Sequence, residues 1–293
     1  MKIAVIGPTY PFLGGISHYN TFLTKYLSLG NSVLLINYKR RCFDFLYPGK
    51  QQFDTKSKFK IETDAKQLID IFNPYSWLIT AKVINDFQPQ LLVFHLVNPY
   101  LEIPTYCIQI FLKQLNKNIR SLCVVHNLGC HEKLLFEEYF RKLLLKSADN
   151  ILTHSGKDAF LCQKLFPDKN IIQGFIPVFS ELIADQINID SINHNPKNTI
   201  LFFGFVRKYK GLDILLKAFK LALEHVDAKL VIAGKFCERR QHYVKLIDSL
   251  AVNGNIIIDD RYIPNEEISY FFNNCNVVVM PYRDISQSAI ISL

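Results

Sequence analysis

The sequence predicts an α/β protein made of two parallel-sheet units, and three observations carry that prediction. Short apolar runs alternate with helical patterns along nearly the whole chain. The runs are apolar throughout rather than alternating with polar residues, as strands buried on both faces are. At 293 residues the chain has room for two domains of roughly 150 residues, each with its own core.

The first set of strands is expected at Lys2–Gly7, Ser32–Asn37, Leu91–Leu96, Ser121–His126, Asn150–His154 and Asn170–Phe175. A helix after the first strand places Ile16, Tyr19, Leu23, Tyr26 and Leu27 on one face and ends near Gly30. Further helical patterns cover Ile103–Leu115, Glu132–Lys146 and Lys157–Phe166. The polar, irregular segment Tyr38–Asn73 is expected to form loops. The second set of strands lies at Thr199–Phe205, Lys229–Gly234, Asn255–Asp259 and Asn276–Tyr282, with helices at Glu238–Val252 and Asn265–Asn273. Between the sets, Ile176–Asn198 carries Pro177, Pro196 and weak periodicity, as an inter-domain connection does. The expected division is therefore a first domain over 1–176, a linker over 177–198 and a second domain over 199–293.

Two loops stand out as places for phosphate. In the first, PTYPFLGG (Pro8–Gly15) puts Gly14 and Gly15 just before a helix, where the missing Cβ lets a ligand approach the backbone. In the second, TILFFGFVRKYKGLDILLKAF (Thr199–Phe219) runs from an apolar strand through Gly204 and the basic residues Arg207, Lys208 and Lys210. Gly211 then opens a helix with Leu212, Leu215, Leu216, Phe219, Leu223 and Val226 at helical spacing. Free N–H groups and the positive end of the helix dipole are expected there, with full charges added by the cationic side chains. Neither loop is a G-x-G-x-x-G dinucleotide fingerprint or a G-x-x-x-x-G-K-[ST] P-loop. Both follow the first strand of their own unit, so both are expected to open onto one cleft at the carboxyl ends of the strands.

Composition narrows the partners. The net charge is +8 and the pI near 9.0, which fits an anionic substrate, an anionic membrane surface or nucleic acid and does not choose among them. No RNP-like aromatic motif, zinc knuckle or long basic helix is present, which excludes nucleic acid as the expected partner. Seven cysteines without paired spacing read as reduced thiols of a cytoplasmic protein. No apolar run approaches the roughly 20 residues of a membrane span.

With these residues in place, the chain resembles the retaining nucleotide-sugar glycosyltransferases of the two-domain GT-B type, glycosyltransferase family 4. The resemblance rests on P-x-x-GG-I at Pro11–Ile16, H-N-x-x-x-H-E at His126–Glu132, FFGFVRKYKGLDILLKAF at Phe202–Phe219, KLVIAG at Lys229–Gly234 and the strand leading to MPYRD at Met280–Asp284. These segments cover nearly the whole chain in the family's order. The resemblance implies two Rossmann-like domains facing a cleft and transfer of a sugar from a UDP- or GDP-linked donor to a glycan or lipid-linked glycan. It also implies a role in surface polysaccharide synthesis. Gly14 and Gly15 match the loop that approaches the donor phosphates. His126 matches the histidine near the transferred sugar, and His131 falls on the acceptor side. Lys210 matches the lysine that neutralises the diphosphate. The family's arginine follows the strand glycine directly; here Phe205 holds that place and Arg207 comes two residues later. Gln287 and Ser288 stand where small polar groups approach the phosphates.

One departure is large. The family's pair of glutamates near the end is absent; after MPYRD the chain reads ISQSAIISL. The expectation is that the second domain is incomplete and that the natural sequence continues by roughly 60–100 residues, judged from ordinary domain size. Two other readings follow: a non-catalytic nucleotide-binding fragment, or a nucleotide-sugar 2-epimerase of the same fold, for which Asp259, Asp260 and Glu132 are the suggestive carboxylates. No protein-bound cofactor or metal is expected, since no Asp-x-Asp signal occurs and His126 and His131 do not share a helical face. Tyr10, Phe12 and Leu13 beside basic residues suggest a peripheral attachment to the inner face of an anionic membrane.

Overall fold

The computed structural model describes residues 1–41, 52–58, 60–128, 137–179, 198–283 and 287–293. The chain divides into two compact units, Met1–Thr55 with Lys60–Pro177, and Lys56–Phe59 with Val178–Leu293.

In the first unit seven parallel strands form one sheet: β1 (Lys2–Ile6), β2 (Ser32–Arg40), β3 (Ala65–Asp70), β4 (Leu91–Leu96), β5 (Arg120–Val125), β6 (Asn150–Thr153) and β7 (Asn170–Gln173). Their order is β3-β2-β1-β4-β5-β6-β7. The chain moves outward in one direction from β1 and in the other from β4, so the switch point lies between these two strands, where such sheets open a crevice. Helices α1 (Gly15–Ser28), α2 (Pro74–Phe87), α3 (Pro99–Leu115), α4 (Glu137–Ser147) and α5 (Gly156–Leu165) connect them. Alternate strand residues Ala4, Ile6, Phe94, Leu96, Cys123 and Val125 join Ala81 and Ile84 of α2 and Leu101 and Ile108 of α3 in one apolar core. Asn73 and Asn98 cap α2 and α3 with their side-chain oxygens, each followed by a proline at the first helical position.

Two expectations are corrected here. The segment Tyr38–Asn73 is not all loop: Tyr38–Arg40 continues β2, and AKQLID forms the edge strand β3. At the edge of the sheet Lys66 and Gln67 are both exposed, and no continuous apolar run marks the strand. The helix α1 also buries a different face from the one expected. Tyr26 is 55% exposed, whereas Ser17, Asn20, Thr21 and Thr24 are buried with Tyr19 and Phe22. Small polar residues face inward because the irregular loop before the helix needs hydrogen-bond partners. Tyr10 donates its N–H to Thr21 Oγ1, and Asn20 donates through Nδ2 to the Pro8 carbonyl.

The second unit holds β8 (Thr199–Phe203), β9 (Lys229–Ala233), β10 (Ile256–Asp259) and β11 (Val277–Val278), parallel and ordered β10-β9-β8-β11. Its helices are α6 (Leu212–Ala222), α7 (Arg240–Leu250) and α8 (Ile268–Asn273). Leu212, Leu215, Leu216 and Phe219 pack on Phe202, Leu230 and Ile232, as the helical spacing implies. The helix ends earlier than expected, at Ala222, and Val226 is 41% exposed. Among the described residues no helix is long and apolar enough to cross a membrane.

Candidate active site

In the second unit the loop after β8 gathers the positive charges of Arg207, Lys208 and Lys210. Gly204 leaves the strand with φ +90°, and a short 3-10 turn, Lys208–Lys210, leads to Gly211 at φ +70°. A side chain at Gly211 would overlap the carbonyl of Pro281, and one at Gly234 would overlap the carbonyl of Gly204, so this corner closes only without Cβ atoms. The Lys210 ammonium folds into the corner: it lies 3.0 Å from the place a Cβ of Gly204 would occupy and 5.6 Å from the centre of the Tyr282 ring. Lys210 is 8% exposed. Burial, followed by the nearby Arg207 charge, pushes its pKa down to about 8. No carboxylate pairs with it among the described residues. Two cations drawn together, one of them desolvated and paired with no carboxylate among the described residues, have the charge an anion would need.

The structure corrects how that site is built. The N–H groups expected to be free are engaged: Lys210 with the Arg207 carbonyl, Gly211 with that of Lys208, and Asp213 and Ile214 with the Asp213 carboxylate. Side-chain charge, rather than the helix end, is what the loop offers a phosphate. Glu238 accepts from the Lys208 N–H and from the Tyr243 hydroxyl. Arg283 donates to the Lys208 carbonyl at 2.6 Å and to Asp213. The loop is thereby clamped on both sides. Ser288 is 3.4 Å from the Tyr282 hydroxyl through Oγ, which also accepts from the Ile290 N–H. That brings Ser288 to the ring against which Lys210 lies, and Gln287, half-buried, precedes it. Arg207 is half-buried, and the Cys237 thiol is hydrogen-bonded to its side chain.

In the first unit Gly14 caps α1 at φ +113° with open space where a Cβ would stand, so its backbone conformation and not crowding calls for glycine. Gly15 is the first residue of α1. The preceding loop is packed inward: Phe12 is fully buried and stacks on Phe53 with ring centres 4.5 Å apart. Tyr10 and Leu13 are buried as well, so these three offer no apolar surface to a bilayer.

His126 follows β5 directly and is 6% exposed. It belongs to a histidine cluster that spacing along the chain does not show. His95, on β4 one residue past the Ile6–Phe94 pairing, sets Nδ1 2.9 Å from His126 Nε2. His154 follows β6, its ring centre 5.5 Å from that of His126. Tyr19 of α1 turns an edge to all three rings. Burial holds His126 well below the usual imidazole range and His95 at about 3, so both are neutral at pH 7. No group of three or more His, Cys, Asp or Glu among the described residues could hold a metal ion. His131 lies outside the described residues, as does Glu132.

The sequence reading missed His95, His154 and Glu238. His95 shows there only as an interruption of an apolar strand, and what brings it to His126 is the strand order that sets β4 beside β5. The carboxylates suggested for acid–base work are occupied: Asp259 pairs with Arg261 at 2.9 Å, and Asp260 with Lys235 at 3.4 Å.

Residues 185–284 match the family described as Glycosyl transferases group 1. No curated protein sequence matches the chain. Among solved structures, Anabaena Alr3699/HepE in complex with UDP is similar over 100% of this chain and 78% of its own, with TM-score 0.69 and 12% identity. The catalytic domain of starch synthase IV from Arabidopsis thaliana, bound to ADP and acarbose, matches over 99% and 80%, with TM-score 0.66 and 10% identity. The UDP-GlcNAc 2-epimerase from Neisseria meningitidis, bound to UDP-GlcNAc, matches over 95% and 76%, with TM-score 0.62 and 13% identity. These likenesses establish the fold and leave the reaction to the site itself. The chain thus has the GT-B type of fold, and its second unit carries a glycosyl transferases group 1 domain.

Proposed function

We propose that this chain is a retaining glycosyltransferase that moves a hexose from a UDP- or GDP-linked donor to a hydroxyl of a glycan or lipid-linked glycan in surface polysaccharide synthesis. The observation that carries the reading is the buried Lys210 ammonium, paired with no carboxylate among the described residues and reinforced by Arg207. As the bond between sugar and diphosphate breaks, negative charge grows on the leaving phosphate oxygens. A desolvated, pre-positioned cation is worth most at that moment. Lys210 and Arg207 hold that charge, and Gln287 and Ser288 add hydrogen bonds to the phosphates. Gly14 and Gly15 let the donor approach the backbone of the first unit. His126, neutral and buried, hydrogen-bonds the transferred sugar and is not a proton carrier at pH 7. His131 is assigned to the acceptor side. The excess of basic residues draws the enzyme to the anionic inner face of the membrane, where lipid-linked acceptors lie.

The group 1 match favours transfer over epimerisation, as do the ion pairs that occupy Asp259 and Asp260. Release of UDP or GDP from a panel of nucleotide-sugars, with product glycoside followed by mass spectrometry, tests the reading. Lys210→Ala should lower turnover at least a hundredfold while circular dichroism stays that of the parent. Turnover within a few-fold of the parent would remove the diphosphate role. A donor isomerised without transfer would establish the epimerase instead, and nucleotide binding by calorimetry with neither reaction would leave a non-catalytic nucleotide-binding fragment.

A further inference from the structure

We infer that His95 is a positioning residue that fixes the ring orientation and the tautomer of His126; the inference rests on the role proposed for His126. The two rings lie nearly parallel, 12° apart with centres separated by 5.2 Å, and share one hydrogen bond between His95 Nδ1 and His126 Nε2. The place of His95 is itself determined. A Cβ on Gly7 would stand 2.6 Å from His95 Cδ2 and 2.7 Å from Asn20 Nδ2. The absent side chain at the switch point therefore makes room for this ring.

The chemistry of the pair sets the direction of the bond. Both rings are neutral, so each carries one proton and one of them must donate to the other. His95 Nε2 is buried and has no hydrogen-bond partner among the described residues. An orphaned buried N–H is rarer and costlier than an under-used acceptor. His95 therefore keeps its proton on Nδ1 and donates it to His126 Nε2. That leaves the proton of His126 on Nδ1, with its ring held in a single orientation by the bond to His95.

The test is nitrogen-15 imidazole spectroscopy on the full chain, combined with steady-state kinetics. At pH 7 the parent should show His126 protonated on Nδ1 and bare on Nε2. His95→Phe should redistribute that signal and lower kcat about tenfold, with donor KM within twofold, the range seen when a supporting hydrogen bond behind an active imidazole is lost. His95→Gln, whose amide can still donate, should restore both. A parent His126 protonated on Nε2 would overturn the inference, as would a His95→Phe variant that leaves the His126 signal unchanged. Because the tautomer is read without substrate, failure of the transferase reading would appear separately, as absent turnover in the parent with the expected spectrum.

Discussion

Replacing Lys210 with methionine should make the protein more stable and unable to hold its donor. The side chain keeps about the same volume while the buried charge goes. Folding lowers the Lys210 pKa from 10.5 to about 8. At about 1.4 kcal/mol for each factor of ten, that fall corresponds to about 3 kcal/mol of disfavoured charging in the folded protein. The sign follows from proton binding. Between pH 8 and 10.5 the unfolded chain holds the Lys210 proton more tightly than the folded one, so the penalty is complete below pH 8 and fades as pH rises through that window. Urea unfolding of parent and Lys210→Met at pH 7 should therefore differ by about 2–3 kcal/mol in favour of the variant, allowing for incomplete relaxation around the new side chain. The difference should shrink by pH 10, where titration of the other lysines cancels between the two proteins. Saturating UDP or GDP should close the gap at pH 7, since only the parent gains from binding it. A variant less stable than the parent, or a difference that does not change with pH, would refute the picture of an ammonium held ready for an anion.

Gly234→Ala should destabilise the second unit by at least about 3 kcal/mol, because the residue sits at φ +148° and its new methyl would overlap the Gly204 carbonyl; a melting temperature within 3 °C of the parent would contradict that packing. The buried imidazoles should make the first unit acid-sensitive. Burial lowers His95 to about 3 and His18 to about 4 from 6.5, so the unfolded chain binds more protons as pH falls below 6.5 and stability should decline there. Denaturation midpoints that fall less steeply between pH 6.5 and 4.5 in His95→Asn than in the parent would support this, and parallel curves would not.

Much of the architecture is legible in the residues alone. Strand interiors such as KIAVI, LLVFHL and TILFF are nearly continuous apolar runs because parallel strands are buried on both faces. Gly211 and the Leu212–Phe219 spacing mark the start and the inner face of α6, and Lys210 stands out as a cation between a strand and a helix. Where the local pattern was weak, tertiary context decided. The edge strand β3 is polar because one of its sides meets water, and α1 buries hydroxyls and an amide because its neighbour is an irregular loop with backbone groups to satisfy.

The sequence by itself singled out Lys210, Arg207 and His126 as candidates, because charge, glycine punctuation and position after a strand are local properties. It could not establish their state. That Lys210 is desolvated depends on Gly204, Tyr282 and the turn around it meeting in space. That His95 touches His126 depends on the order β1-β4-β5. Burial and hydrogen-bond partnership arise between segments far apart in the chain, and only the folded arrangement of strands brings those segments to one end of a sheet.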